Sequence, residues 1–141
     1  MDFLLYRSKA LVPTPSEAVR EIVSLSVIRN AATDLTGFLH AEDGMFIQYL
    51  EGPSLALWAL YDHLHHDARH RNLTLRAEGT IKRRRFHDWR MGYSARSVMC
   101  FADFLNDIYG RSRPEDANGN EALIFLMAVC QRIDLGICDQ P

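Results

Sequence analysis

A chain of 141 residues, 48% hydrophobic and 24% charged, is long and apolar enough to fold as one globular domain around a real core. Its 16 basic and 18 acidic residues leave a net charge of −2 and a pI near 6.3, which speaks against a nucleic-acid-binding surface. No basic segment precedes an apolar core at the N-terminus, and the longest strongly apolar run, Ala122 to Cys130, falls far short of the ~20 residues of a membrane span, so a cytoplasmic protein with no membrane partner is expected.

Asp2 to Ser8 opens the chain as a strand, its Phe3-Leu4-Leu5-Tyr6 run being too short and too aromatic for a helix. Leu4, Tyr6 and Ser8 share one face, Phe3 and Leu5 the other. Pro13 and Pro15 break the chain, and Ser16 followed by Glu17 opens a helix with an N-cap and an acidic first turn. Val19, Ile22, Val23, Ser26, Val27 and Asn30 follow helical spacing, so the inner face ends in two polar residues four apart. On its own Asn30 reads as a C-cap, where asparagine tolerates left-handed geometry.

Leu35 to His40 reads as a second strand, joined by the tight turn Glu42-Asp43-Gly44 to a third over Met45 to Glu51. Gly52-Pro53 ends that strand. Phe46, Gln48 and Leu50 point one way and Met45, Ile47 and Tyr49 the other, and both faces are largely apolar. Gln48 is the anomaly: an unpaired amide in apolar surroundings costs roughly 1–3 kcal/mol. It is either a surface-side residue of an edge strand or a group aimed at a bound polar ring.

Ser54 is expected to cap a helix whose stripe is Leu57, Trp58, Leu60, Tyr61 and Leu64. Leu73-Thr74-Leu75 reads as a short fourth strand. Trp89 to Ser94 reads as a fifth, with Trp89, Met91 and Tyr93 on one face. The order βαββαββ predicts an α+β, ferredoxin-like sandwich with two helices on one side of the sheet. Met99 to Tyr109 and Glu121 to Ile133, split by the turn-rich stretch Arg113 to Gly119, are expected to be two further helices covering the opposite face. The last is apolar nearly all round, which implies burial or a partner, a second copy of the chain included.

Tyr6, Asn30, Gln48, Trp89 and Met91 can all border one space between the sheet and the first two helices. These residues, with the segments Leu4-Leu5-Tyr6-Arg7-Ser8, Leu35-Thr36-Gly37, Phe46 to Pro53, Asp67-Ala68-Arg69-His70 and Trp89-Arg90-Met91-Gly92, resemble the BLUF family of blue-light sensors that use flavin. The resemblance covers about the first two thirds of the chain in order and spacing. Asp34 and Leu35 depart from the Gly and Ile that commonly precede Thr-Gly in the family.

The resemblance implies non-covalent FAD held between the two helices, with Tyr6 as the photoactive tyrosine, Gln48 as the switching glutamine and Asn30 as an anchor of the ring's polar edge. It further implies that Asp67, Arg69 and His70, beside Ser26, line the cofactor site and that Trp89 and Met91 relay the signal. Residues 1–96 would be the photosensor domain and 97–141 a helical extension packed on the sheet. The implied output is a population shift passed to a separate, unknown signalling protein, with no substrate turned over. A flavin-binding module without photochemistry is the alternative. An acylphosphatase-like enzyme on the same fold would need a glycine-bearing phosphate loop after the first strand, which Arg7-Ser8-Lys9-Ala10 lacks.

Other patterns carry less. His63, His65, His66 and His70 cluster without a cysteine or second acidic ligand nearby, so no metal is expected and a solvated helix end is the simpler reading. Lys82 to Arg85 is a short basic run of the kind found in solvated turns. Cys100, Cys130 and Cys138 form no CxxC pair and fit reduced thiols.

Overall fold

The computed structural model describes residues 1–111, 113–136 and 140–141, so Cys138 lies outside the described residues. The strands are β1 (Asp2–Ala10), β2 (Thr36–Glu42), β3 (Met45–Gly52), β4 (His70–Thr80) and β5 (Gly92–Ala95). The helices are α1 (Glu17–Thr33), α2 (Ser54–Leu64), α3 (Phe101–Tyr109) and α4 (Gly119–Asp134). One sheet runs in the order β4-β1-β3-β2-β5, antiparallel throughout except where β5 joins β2 in parallel. This is the ferredoxin-like arrangement with a fifth strand added at one edge.

The period of two sorts the central strands onto two cores. Leu4, Tyr6, Leu39, Phe46 and Leu50 pack under α1 and α2 with Val19, Leu57, Leu60 and Leu64. Leu5, Phe38, Ile47 and Tyr49 pack under α3 and α4 with Phe101, Leu105, Phe125, Leu126 and Val129. The facing expected for β3 is therefore the facing observed. The β2–β3 connection is Asp43-Gly44, with φ of 47° and 79°, the two left-handed residues of a tight hairpin turn. On α4, Ile124 and Met127 stay exposed while Ala122, Phe125, Leu126 and Val129 are buried.

Several boundaries differ from the sequence reading. Ser16 does cap α1, its Oγ accepting from the Val19 N–H at 3.3 Å, but the helix ends in left-handed Asp34, so Asn30 is a buried interior residue and no cap. Val27, placed on the inner face by its spacing, is exposed. Ser54 is the first residue of α2, which has no side-chain cap. Strand β4 is far longer than Leu73–Leu75, because β1 offers it a ladder almost throughout, with register shifts beside Tyr6 and Arg7. Strand β5 is shorter than expected, and Trp89 and Met91 fall on opposite sides of the sheet.

Glu51 explains that last departure. Fully buried on β3, its carboxylate accepts from the Arg85 and Phe86 amides, both at 2.7 Å, from Thr36 Oγ1 at 2.9 Å and from Tyr49 Oη at 3.1 Å. The chain is thereby pinned at 85–86 and turns, with the Trp89 N–H bonding back to the Phe86 carbonyl at 3.0 Å, before it straightens into β5. Truncation of Glu51 would strand four donors in the interior. Glu51→Ala is expected to lower the unfolding free energy by about 3 kcal/mol or more, read from the urea midpoint; a loss below about 1 kcal/mol would show that this carboxylate does not hold the loop.

Candidate functional site

Tyr6 on β1 stands directly across the ladder from Gln48 on β3. The Tyr6 hydroxyl donates to Gln48 Oε1, and Gln48 Nε2 donates to Met91 Sδ at 3.5 Å. These two contacts fix which end of the carboxamide faces which neighbour. Burial pushes the Tyr6 phenol well above its ordinary value, so the phenol keeps its proton. Gln48 is neither at an edge nor at the surface: it is buried on a central strand. A thioether is a weak acceptor, and the amide's donor capacity is far from spent on it.

Above this pair a narrow cleft opens between α1 and α2. Ile22, Leu39, Phe46 and Leu64 supply apolar wall, while Ser26, Arg29, Asp67, Arg69 and His70 supply polar groups with Tyr6 and Gln48. At its rim Arg69 forms a fork on Asp67. Nε lies 2.9 Å from Oδ1, Nη2 lies 2.7 Å from Oδ2, and the Arg69 backbone N–H also donates to Oδ1 at 2.9 Å. Those bonds hold the Asp67 carboxyl down to about 2. His70 Nε2 lies 2.7 Å from the Leu64 carbonyl and must donate to it, while Nδ1 lies 2.7 Å from Ser8 Oγ.

Asn30 is buried beside the cleft, its Nδ2 donating to the Arg90 carbonyl at 2.6 Å and its Oδ1 accepting from Arg29 Nε and Nη2, both at 3.3 Å. It ties α1 to the segment leading into β5. Trp89 is remote from the cleft; it packs edge-on against Phe38 on the face covered by α3 and α4. Of the proposed relay pair, then, Met91 meets Gln48 and Trp89 does not. Arg29 and Ser8 went unnoticed in the sequence. Arg29 had a signal: with Ser26 and Asn30 it makes an i, i+3, i+4 set on one helical face. Ser8 had its place on the Tyr6 face of β1.

Residues 1–92 match the sequence profile of the family described as sensors of blue-light using FAD, BLUF. The chain belongs to the BLUF family. It is 36% identical over 70 residues to the blue light- and temperature-regulated antirepressor BluF of Escherichia coli (strain K12), a stretch covering 50% of this chain and 17% of that protein. It is 28% identical over 106 residues to the photoactivated adenylate cyclase subunit beta of Euglena gracilis, covering 74% of this chain and 12% of that one. The BLUF protein BlrB in its dark state superposes with a TM-score of 0.73 at 26% identity, over 92% of this chain and 93% of that one. BlsA in its photo-activated state shares the fold, with a TM-score of 0.79 at 23% identity over 100% and 99%. The chain thus spans 17% or less of the length of these curated relatives.

The BLUF cofactor is FAD, and the cleft suits a flavin ring. Its apolar walls would meet the ring faces, and the Arg29 and Arg69 guanidinium groups, the Gln48 amide and the Asp67 carboxylate offer donors and acceptors to polar edges. The Asp67–Arg69 fork has a pH signature. A carboxyl depressed in the folded state contributes stability that is fully present above its ordinary 3.8 and is lost as the pH falls through about 2. A carbon-detected NMR titration of Asp67 is expected to show a midpoint near 2; a midpoint at the ordinary value would mean the fork does not form.

In this BLUF chain no helix among the described residues is long and apolar enough to cross a membrane, and the described residues hold no group of three or more metal-ligating side chains. Cys100 and Cys130 are free thiols.

Proposed function

We propose that this chain is a short light-sensing unit in which Tyr6 is the photochemical donor, Gln48 the switching group, and a separate signalling protein in the cytoplasm the recipient. The observation that carries the reading is the row Tyr6–Gln48–Met91, whose first two members line the cleft. Residues 1–96 would be the photosensor and 97–141 the extension through which the signal leaves, with a second copy of the chain as a further candidate partner. Arg29, Ser26, Asn30, Asp67, Arg69 and His70 are the residues we assign to holding the cofactor.

Bound FAD supplies the blue-absorbing ring and, once excited, the acceptor for one electron. Tyr6 is suited to give that electron because its phenolic proton already lies on a bond to Gln48 Oε1, so the proton has a destination as the electron departs. While the proton is away from Tyr6, the phenolic O–H that fixed the carboxamide is gone and the amide can turn. Return of electron and proton to Tyr6 restores the phenol with the amide in its new orientation. An amide donates at one end and accepts at the other. Turned, it presents an oxygen to Met91 Sδ, which has no hydrogen to give, and the contact with Met91 is lost. Met91 and Trp89 lie two residues apart on opposite sides of the sheet, so release of Met91 reaches the α3 and α4 face through Trp89. No substrate is consumed; the output is a changed population of two arrangements.

The test is an absorption spectrum in darkness and after blue light. The flavin band is expected to move to longer wavelength and return in the dark, while Tyr6→Phe and Gln48→Leu keep the flavin and lose the shift. A wild type that binds flavin without shifting would favour a flavin-binding module without photochemistry, and a Gln48→Leu variant that still shifts would remove the role given to Gln48.

A further inference from the structure

On the sheet face covered by α3 and α4, three buried polar side chains stand in a row that the flavin site does not use. Ser94 of β5 lies opposite His40 of β2 in the parallel ladder, with Oγ 2.6 Å from His40 Nδ1. His40 Nε2 lies 3.0 Å from Glu42 Oε1. Glu42 in turn accepts from the first amides of α3, Phe101 N–H at 2.8 Å and Ala102 N–H at 3.4 Å, with Cys100 Sγ 3.7 Å away. Helix α3 has no side-chain cap of its own from Cys100. Its N-terminus is completed by a carboxylate borrowed from β2.

The proton positions follow from the partners. Glu42 faces two N–H donors; burial works to raise its carboxyl, but the bonds from His40 and from the Phe101 and Ala102 amides outweigh it and hold the group below its ordinary value. Burial lowers His40, which stays neutral. Nε2 therefore donates to Glu42, and Nδ1 accepts the Ser94 hydroxyl proton. The trio has the composition of a hydrolase triad, but Ser94 and His40 are fully buried and Glu42 nearly so; no carbonyl substrate reaches the serine. A chain of bonds from a sheet edge to a helix end is a mechanical connection.

Strand β5 is four residues long, pairs with β2 alone, and follows directly on Met91. We propose that Ser94, His40 and Glu42 form the link that transmits a displacement of β5 to the N-terminus of α3. When Ser94 withdraws, His40 Nδ1 is left without a donor in the interior, the ring turns to find one, and its hold on Glu42 weakens. The Phe101 and Ala102 amides lose their acceptor. The dark half of this inference stands on the geometry alone; the light-driven half rests on the photoreceptor reading above.

The test is amide hydrogen exchange on the full FAD-bound chain. The Phe101 and Ala102 amides have no partner within α3, so their protection reports Glu42 directly. In darkness Ser94→Ala is expected to speed their exchange about tenfold, Ser94→Thr, which keeps the hydroxyl, to leave it near wild type, and Ser94→Ala with Glu42→Gln to exchange no faster than Glu42→Gln alone. Additive effects, or an unchanged α3 in Ser94→Ala, would overturn the link. Under blue light the wild type is expected to gain exchange at the same amides, with little further gain in Ser94→Ala. A wild type that shifts to the red with no change at Phe101 and Ala102 overturns the light-driven half and leaves the photoreceptor reading intact. A wild type that does not shift overturns that reading, and the dark comparison still decides the link.

Discussion

A sheet covered on both faces has no solvent for a carboxamide, and Gln48 lies in its central strand. The amide's polar ends must be met by whatever the neighbouring strands and the incoming loop provide. Strand β1 provides the Tyr6 hydroxyl, in register across the ladder, and the segment before β5 provides the Met91 thioether. One of these partners is firm and the other soft. That asymmetry makes the amide a two-position element, held by Tyr6 and readily given up by Met91, and the position of Met91 depends in turn on the pinning of residues 85–86 by Glu51.

In the function proposed above, the layered architecture would separate sensing from readout. The cleft and its polar rim lie between the sheet and α1 and α2, whereas Trp89, His40 and Glu42 face α3 and α4. The segment from Arg90 into β5 is bonded on both sides: Asn30 holds the Arg90 carbonyl, Gln48 holds Met91, and Ser94 holds His40. A small displacement there is felt on both faces because packed layers shift between discrete arrangements rather than deform smoothly. The relatives named as adenylate cyclase and antirepressor are much longer than the stretch they share with this chain, which accords with a sensing layer that serves different outputs.

Much of this was legible in the residues. The alternation in Met45 to Leu50 gave both faces of β3, Asp43-Gly44 gave the hairpin, and Ser16 gave the start of α1, because each is a local signal read by a local rule. Gln48 announced itself as a polar residue in a strand with two apolar faces. What escaped depended on distant partners. Period two placed Trp89 and Met91 together, and only the bonds from Glu51, some 35 residues earlier in the chain, turn that segment so that they part. Strand β4 carries Arg71, Arg76 and Glu78 along a sheet edge, so charge masked a ladder that β1 imposes. Ser94, His40 and Glu42 have no common motif; a parallel pairing of β2 with β5 brings them together, and nothing short-range foretells it.

Everything downstream of the flavin depends on the Gln48 carboxamide turning between Tyr6 and Met91. A light-minus-dark infrared difference spectrum, recorded with ordinary and with side-chain carbonyl carbon-13 glutamine, tests it most directly. If the amide turns, an amide carbonyl band moves on illumination, shifts with the label, and is missing from a light-active chain in which the labelled glutamines are only Gln131 and Gln140. A red-shifted flavin with no label-sensitive glutamine band would contradict it.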